Sequence, residues 1–170
     1  MQKTCALLVV FICSLSCIHK EKVSSLDPIN WDKRITELDS IGSFKSGSTY
    51  LSIYSQIYSI SELKTHDLTA TVSMRNANKL DTIYIQKAQY YGTDGKLIRT
   101  YIDKTIFLKP METLAIVINE ADWEGGTGAN FVFDWSVGKA SYVPIFEGVM
   151  VSTSGQQGLS FTTQGKRLTK

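Results

Sequence analysis

A change of period constrains this chain more than any other feature. From Ser48 onward apolar residues recur at every second position, as where Leu68, Ala70, Val72 and Met74 alternate with Thr69, Thr71, Ser73 and Arg75. Successive side chains of a strand point to opposite faces, so this row puts one set in a core and the other in water. Runs rich in Ile, Val, Thr, Tyr and Phe over 50–58, 82–91, 96–102, 113–119, 130–135, 145–152 and 159–163 read as further strands. Gly92-Thr93-Asp94-Gly95 joins two of them as a hairpin, because Asp-Gly supplies the positive φ that a tight turn requires. Polar clusters at 76–78, 80–81, 109–110 and 154–158 supply other turns. Seven or eight short strands with no helical run between them predict an all-β fold, an antiparallel β-sandwich of immunoglobulin-like type. A small closed barrel is the alternative.

The first residues carry an address rather than a fold. Lys3, the apolar run 6–12, and Ser16 directly before Cys17 read as a lipoprotein signal peptide over 1–16. The run is shorter than the roughly 20 residues a bilayer span needs. Leu15 stands two places before Cys17 rather than three, a relaxed order, and an ordinary cleaved signal or an uncleaved anchor are the alternatives. Cys17 is the expected lipidation site. The three cysteines, Cys5, Cys13 and Cys17, all lie in or at the end of this segment, so the mature chain keeps no disulfide or thiol chemistry. Residues 17–47 read as a polar tether, with a short helix predicted over 28–39 because Pro28 follows Asp27 and Trp31, Ile35 and Leu38 share one helical face. The expected location is the bacterial cell envelope, with the domain of residues 48–170 facing periplasm or exterior and bound to the membrane through the N-terminal lipid.

Charge narrows the partners. The chain has 18 basic and 16 acidic residues, and Lys3 is the one charged residue within the signal, so the mature protein is close to neutral. A well-mixed neutral surface gives no basic stripe for nucleic acid. Two histidines, His19 and His66, leave little room for imidazole chemistry, and neither a cofactor nor a metal is expected. The expected partner is an envelope protein or a glycan.

Several blocks carry a family likeness: Leu68 to Asn76, Gln89 to Lys96, Gly125 to Phe131 with Trp135, Pro144 to Met150, and Gly155 to Phe161. In this order, across residues 50–165, the chain resembles the bacterial family DUF3124, whose members are mostly secreted or lipid-anchored. The resemblance implies no activity, ligand or catalytic residue, and it leaves out roughly the first 49 residues.

The segment 120–130 is the leading site candidate. Asp122, Trp123 and Glu124 precede Gly125, Gly126 and Gly128, with Asn130 at its end. Carboxylates beside a tryptophan and shaped backbone could take a ligand, a partner or a calcium ion, while the structural alternative is a connection across the end of the sandwich. Secondary candidates are Tyr50, Tyr54 and Tyr58, which would share a face of a regular strand as a stacking platform. Arg75 is the other, on the polar face as a solvated residue, an ion-pair partner to an acid such as Asp134, or a ligand group. No catalytic signature is found. Glu124 and Glu147 form the one acid pair to nominate for polysaccharide cleavage, and the reading preferred over that enzyme, and over a purely structural component, is a non-enzymatic binding module.

Overall fold

A computed structural model describes residues 29–38, 43–153 and 158–168. The signal peptide, Cys17 and the tether up to residue 28 lie outside the described residues, as do 154–157 of the turn predicted at 154–158.

The period-two pattern resolves into twelve strands among the described residues: β1 (Phe44–Ser52), β2 (Gln56–Ser59), β3 (Ser61–Asp67), β4 (Thr69–Arg75), β5 (Ile83–Tyr91), β6 (Leu97–Ile102), β7 (Ile106–Leu108), β8 (Thr113–Ile118), β9 (Asn130–Gly138), β10 (Ile145–Ser152), β11 (Leu159–Gln164) and β12 (Lys166–Leu168). They form a six-stranded sheet in the order β12-β1-β9-β5-β6, with β7 also on β5, a four-stranded sheet in the order β11-β10-β4-β8, and a separate hairpin of β2 and β3. The two larger sheets face each other as an all-β sandwich. Their inner rows make one core, in which Leu68, Ala70, Val72 and Met74 are fully buried. Phe133 of β9 stacks on Phe146 of β10 at 4.2 Å, which joins the layers across the centre. Burying a side chain of this size contributes roughly 1.5–3 kcal/mol.

The predicted hairpin turn at 92–95 forms, with Gly95 at φ +79°. The run predicted as one strand over 50–58 does not stay in one sheet. β1 leaves the sheet after Ser52, and Ile53 and Ser55 are buried where the chain turns into the β2–β3 hairpin.

The short N-terminal helix is one 3-10 turn, Trp31–Arg34, not a helix over 28–39. Asn30 caps it, its side chain accepting from the Lys33 N–H at 3.3 Å. Ile35 is already extended and bridges Ile106, and the Thr36 N–H donates to the Thr105 carbonyl at 3.0 Å. Pairing along the open edge of β7 uses backbone groups that a second helical turn would have used, and isolated helices this short are marginal in water. Arg34 then fastens the segment to Glu112 through two bonds of 3.0 and 2.8 Å.

The turn at 76–78 is a buried polar hub. The Asn76 amide donates to the carbonyls of Asp81, Leu108 and Lys109, and its oxygen accepts from the N–H and side chain of Asn78. Asn78 reaches the backbone of Tyr142 in both directions. One end of the sandwich is thus held by side-chain amides that satisfy connections crossing between the sheets.

Candidate functional site

The segment 119–129 connects β8, an edge strand of the four-stranded sheet, to β9 in the middle of the other. It closes the end of the sandwich opposite the Asn76 hub. Asn119 starts it: its carbonyl accepts from the Asp122 N–H at 2.8 Å and its side chain from the Ala121 N–H at 2.9 Å. Asp122 turns inward and is almost fully buried. Its carboxylate meets Arg99 of β6 at 3.0 Å, and the same guanidinium reaches Glu124 at 3.4 Å and the Tyr101 hydroxyl at 2.9 Å. Burial works against the charge on Arg99, and Tyr101 and Asp122 outweigh it, so its pKa is raised.

The glycines are fixed by contacts. A Cβ on Gly125 would collide with the Tyr90 hydroxyl, and Gly126 sits at φ +70°. Thr93, from the β5–β6 turn, donates to the Gly125 carbonyl at 2.9 Å and accepts from the Gly128 N–H at 2.8 Å. Its own N–H also donates to the Gly125 carbonyl. A 3-10 turn over Gly126–Gly128 follows, and Asn130 enters the ladder as the first residue of β9, opposite Ser52 and Tyr91.

Beneath the loop, the Tyr90 hydroxyl is buried with no hydrogen-bond partner among the described residues. Burial pushes this phenol well above its ordinary range, and the opposing influence of the Ser55 hydroxyl is smaller. Ser55 is turned toward the Gly126 carbonyl at 3.3 Å and so ties the loop to the base of the β2–β3 hairpin.

Trp123 is the exception to this inward packing. It is 64% exposed on a loop whose neighbours on both sides are pinned, so it does not plug the sandwich. At the same end the hairpin exposes Tyr58, Ile60 and Leu63, and Ile60 and Leu63 are more than nine-tenths exposed.

The other candidates are not brought together. Tyr50 stays in β1, Tyr54 packs edge-on against Phe161 at 5.7 Å, and Tyr58 lies on the hairpin, so the break after Ser52 dissolves the proposed platform. Arg75 pairs with Glu147 at 3.0 Å rather than with Asp134, because β4 and β10 are neighbours while Asp134 belongs to the opposite sheet. Glu147 stands opposite Ser73, five residues along β4 from Leu68, whose N–H donates to the Ser55 carbonyl at the loop end. Glu147 is engaged by Arg75 in the four-stranded sheet while Glu124 is engaged by Arg99 of the six-stranded sheet, so each acid has its own arginine partner on a different sheet. Thr93, Arg99 and Asn119 were not singled out from sequence. Each acts over a turn or across the fold, and an isolated Thr or Arg in a strand or turn carries no local mark of that.

Among the described residues no three His, Cys, Asp or Glu side chains gather as a metal set, and no helix is long and apolar enough to cross a membrane.

The profile of a family described as a protein of unknown function, DUF3124, matches residues 46–168. Comparison with curated proteins gave no match. Among solved structures, the crystal structure of Thermotoga maritima 1070 is similar with a TM-score of 0.45 at 8% identity, covering 71% of this chain and 92% of that one.

Proposed function

The chain belongs to the DUF3124 family of unknown function, and from that premise we propose that it is a non-enzymatic binding module, lipid-anchored through Cys17 at the bacterial envelope, that meets its partner with the end formed by the 119–129 loop. The observation that carries this reading is the exposed Trp123. A large aromatic costs little to order when its loop is already held by Arg99 and Thr93, and aromatic anchors on pre-organised loops dominate binding energy where they are found. Trp123 supplies the apolar contact, and the Arg99-bound Glu124, itself largely exposed, supplies a polar one beside it. The adjacent hairpin residues Tyr58, Ile60 and Leu63 extend the same apolar end.

Trp123→Ala decides the matter. An exposed tryptophan leaves little behind when removed, so the melting temperature should stay within about 2 °C, as surface changes of under roughly 0.5 kcal/mol do. Pull-down from native envelopes should lose the components that wild type retains. A stability loss of about 3–5 kcal/mol with capture unchanged in the folded fraction would instead make Trp123 structural. The anchor has its own test. Cys17→Ser should move the folded protein from the membrane to the soluble fraction and abolish incorporation of a palmitate label, and persistence of either would reject lipidation.

A further inference from the structure

The outer face of the six-stranded sheet should be evenly wet, yet it holds a depression of about 490 Å³ lined by Ser46, Gly47, Ser48, Gln86, Lys87 and Asp134. Its middle is built on an irregularity. β5 and β9 shift register between Ile85 and Lys87, so Gln86 is the extra residue of a bulge in a strand flanked on both sides. A bulge sets two residues against one and re-aims side chains, which here places Gln86 and Lys87 together on the outer face. The polar groups around them are pre-ordered. Ser136, only 1% exposed although it points outward, bonds Ser46 at 2.6 Å and donates to Gln86 at 3.2 Å. Ser48 donates to Asp134 Oδ1 at 2.6 Å. The floor is firm, because the Gly47 backbone lies against the buried Trp135 indole so closely that a Cβ would come within 2.6 Å of it.

Lys87 and Asp134 are direct partners across the ladder, but they make no ion pair within 4.0 Å among the described residues. Opposite charges in such positions ordinarily close on each other. Asp134 is engaged by the Ser48 hydroxyl instead, and the two charges beside the depression offer one guest a donor and an acceptor with no net charge. An anion would be repelled by Asp134 and a cation by Lys87. A vicinal diol meets both, one hydroxyl donating to Asp134 and its neighbour accepting from Lys87. Tyr84, opposite Ser136 in register, packs edge-on against Phe44 at 5.6 Å, and Tyr50 lies two residues beyond Ser48; both are half-buried on the same face, and the ring area left exposed would meet a pyranose.

We propose that this face, centred on the Gln86 bulge, is a binding site for a neutral saccharide, held by Asp134 and Lys87 and bordered by Tyr50 and Tyr84. It is a second site, apart from the 119–129 loop.

The test titrates the ¹⁵N-labelled full chain with cellotriose, maltotriose and tri-N-acetylchitotriose, followed by amide shifts. The expected result is saturable shifts at Ser46, Ser48, Gln86, Lys87 and Asp134 with at least one of the three. Lys87→Ala and Asp134→Asn should each weaken that binding about tenfold, the loss of one hydrogen bond to a charged group. Trp123→Ala should leave it unchanged, which separates this site from the loop. Absence of saturable shifts with all three sugars, undiminished binding by both variants, or preference for inorganic phosphate over the sugars would overturn the proposal.

Discussion

Tyr90 and Gly125 form a steric unit at the residue scale, since the buried hydroxyl occupies the space a side chain at 125 would need. An unpaired buried hydroxyl costs roughly 1–3 kcal/mol, so Tyr90→Phe should raise stability by about 1 kcal/mol, read by urea denaturation. The same hydroxyl gives a pH signature. Its folded-state pKa is raised by burial, so the unfolded chain releases this proton first, near the ordinary phenol value of about 10. Stability from this group is complete below that pH and falls as pH rises above it, with a slope of at most about 1.4 kcal/mol per unit. Between pH 9 and 11 the Tyr90→Phe protein should lose stability less steeply than wild type, and parallel curves would show that Tyr90 is not protected. At the other end, Asn76→Ala would strand carbonyls that now share one amide. We expect a loss of about 2–4 kcal/mol in thermal or urea unfolding, and a change under 1 kcal/mol would mean water replaces the amide.

At the scale of elements, the β2–β3 hairpin stands apart from both sheets and carries Ile60 at φ +69°, a left-handed conformation that a β-branched residue adopts at a cost of roughly 1–2 kcal/mol. Ile60→Gly should raise the melting temperature, because it removes that strain at a position that buries nothing. A fall would place Ile60 in a contact of its own. The N-terminal segment depends on Glu112, whose carboxyl Arg34 holds below the usual carboxylate range, aided by the Lys109 N–H. A depressed carboxyl stabilises above its unfolded pKa and loses that effect as pH falls through the folded value. Acidification through the carboxylate range should therefore increase amide exchange at Thr36 before the core strands exchange, and simultaneous exchange would refute a separate clamp. The strands with regular alternation, such as β4 and β8, were legible in the sequence because one face is buried. The hairpin and β7 were not. β3 is exposed along nearly its whole length and has no buried row to read, and three residues of β7 are too few to set a period.

At the scale of the whole molecule, the two-layer core is the source of cooperativity. Val72→Asp would put a charge between the sheets at a fully buried position, a penalty of several kcal/mol against a total of about 5–15 kcal/mol, and should abolish soluble folded protein. A soluble variant with unchanged near-ultraviolet dichroism would contradict the observed strand register. The candidate loop was legible as a stretch, since a tryptophan, carboxylates and three glycines cluster in eleven residues. Its internal order was not, because the threonine and arginine that hold it are separated from it by more than 20 residues of chain. The N-terminal strap has a mechanical consequence. A pull on the chain upstream of Ile29 is borne first by the Arg34–Glu112 fork and the Ile35–Ile106 bridge at a sheet edge, before any load reaches β1 between β12 and β9. The strap is a strain relief of the kind used where a cable enters a housing: it takes the load first, and the sandwich behind it stays unloaded until it has let go.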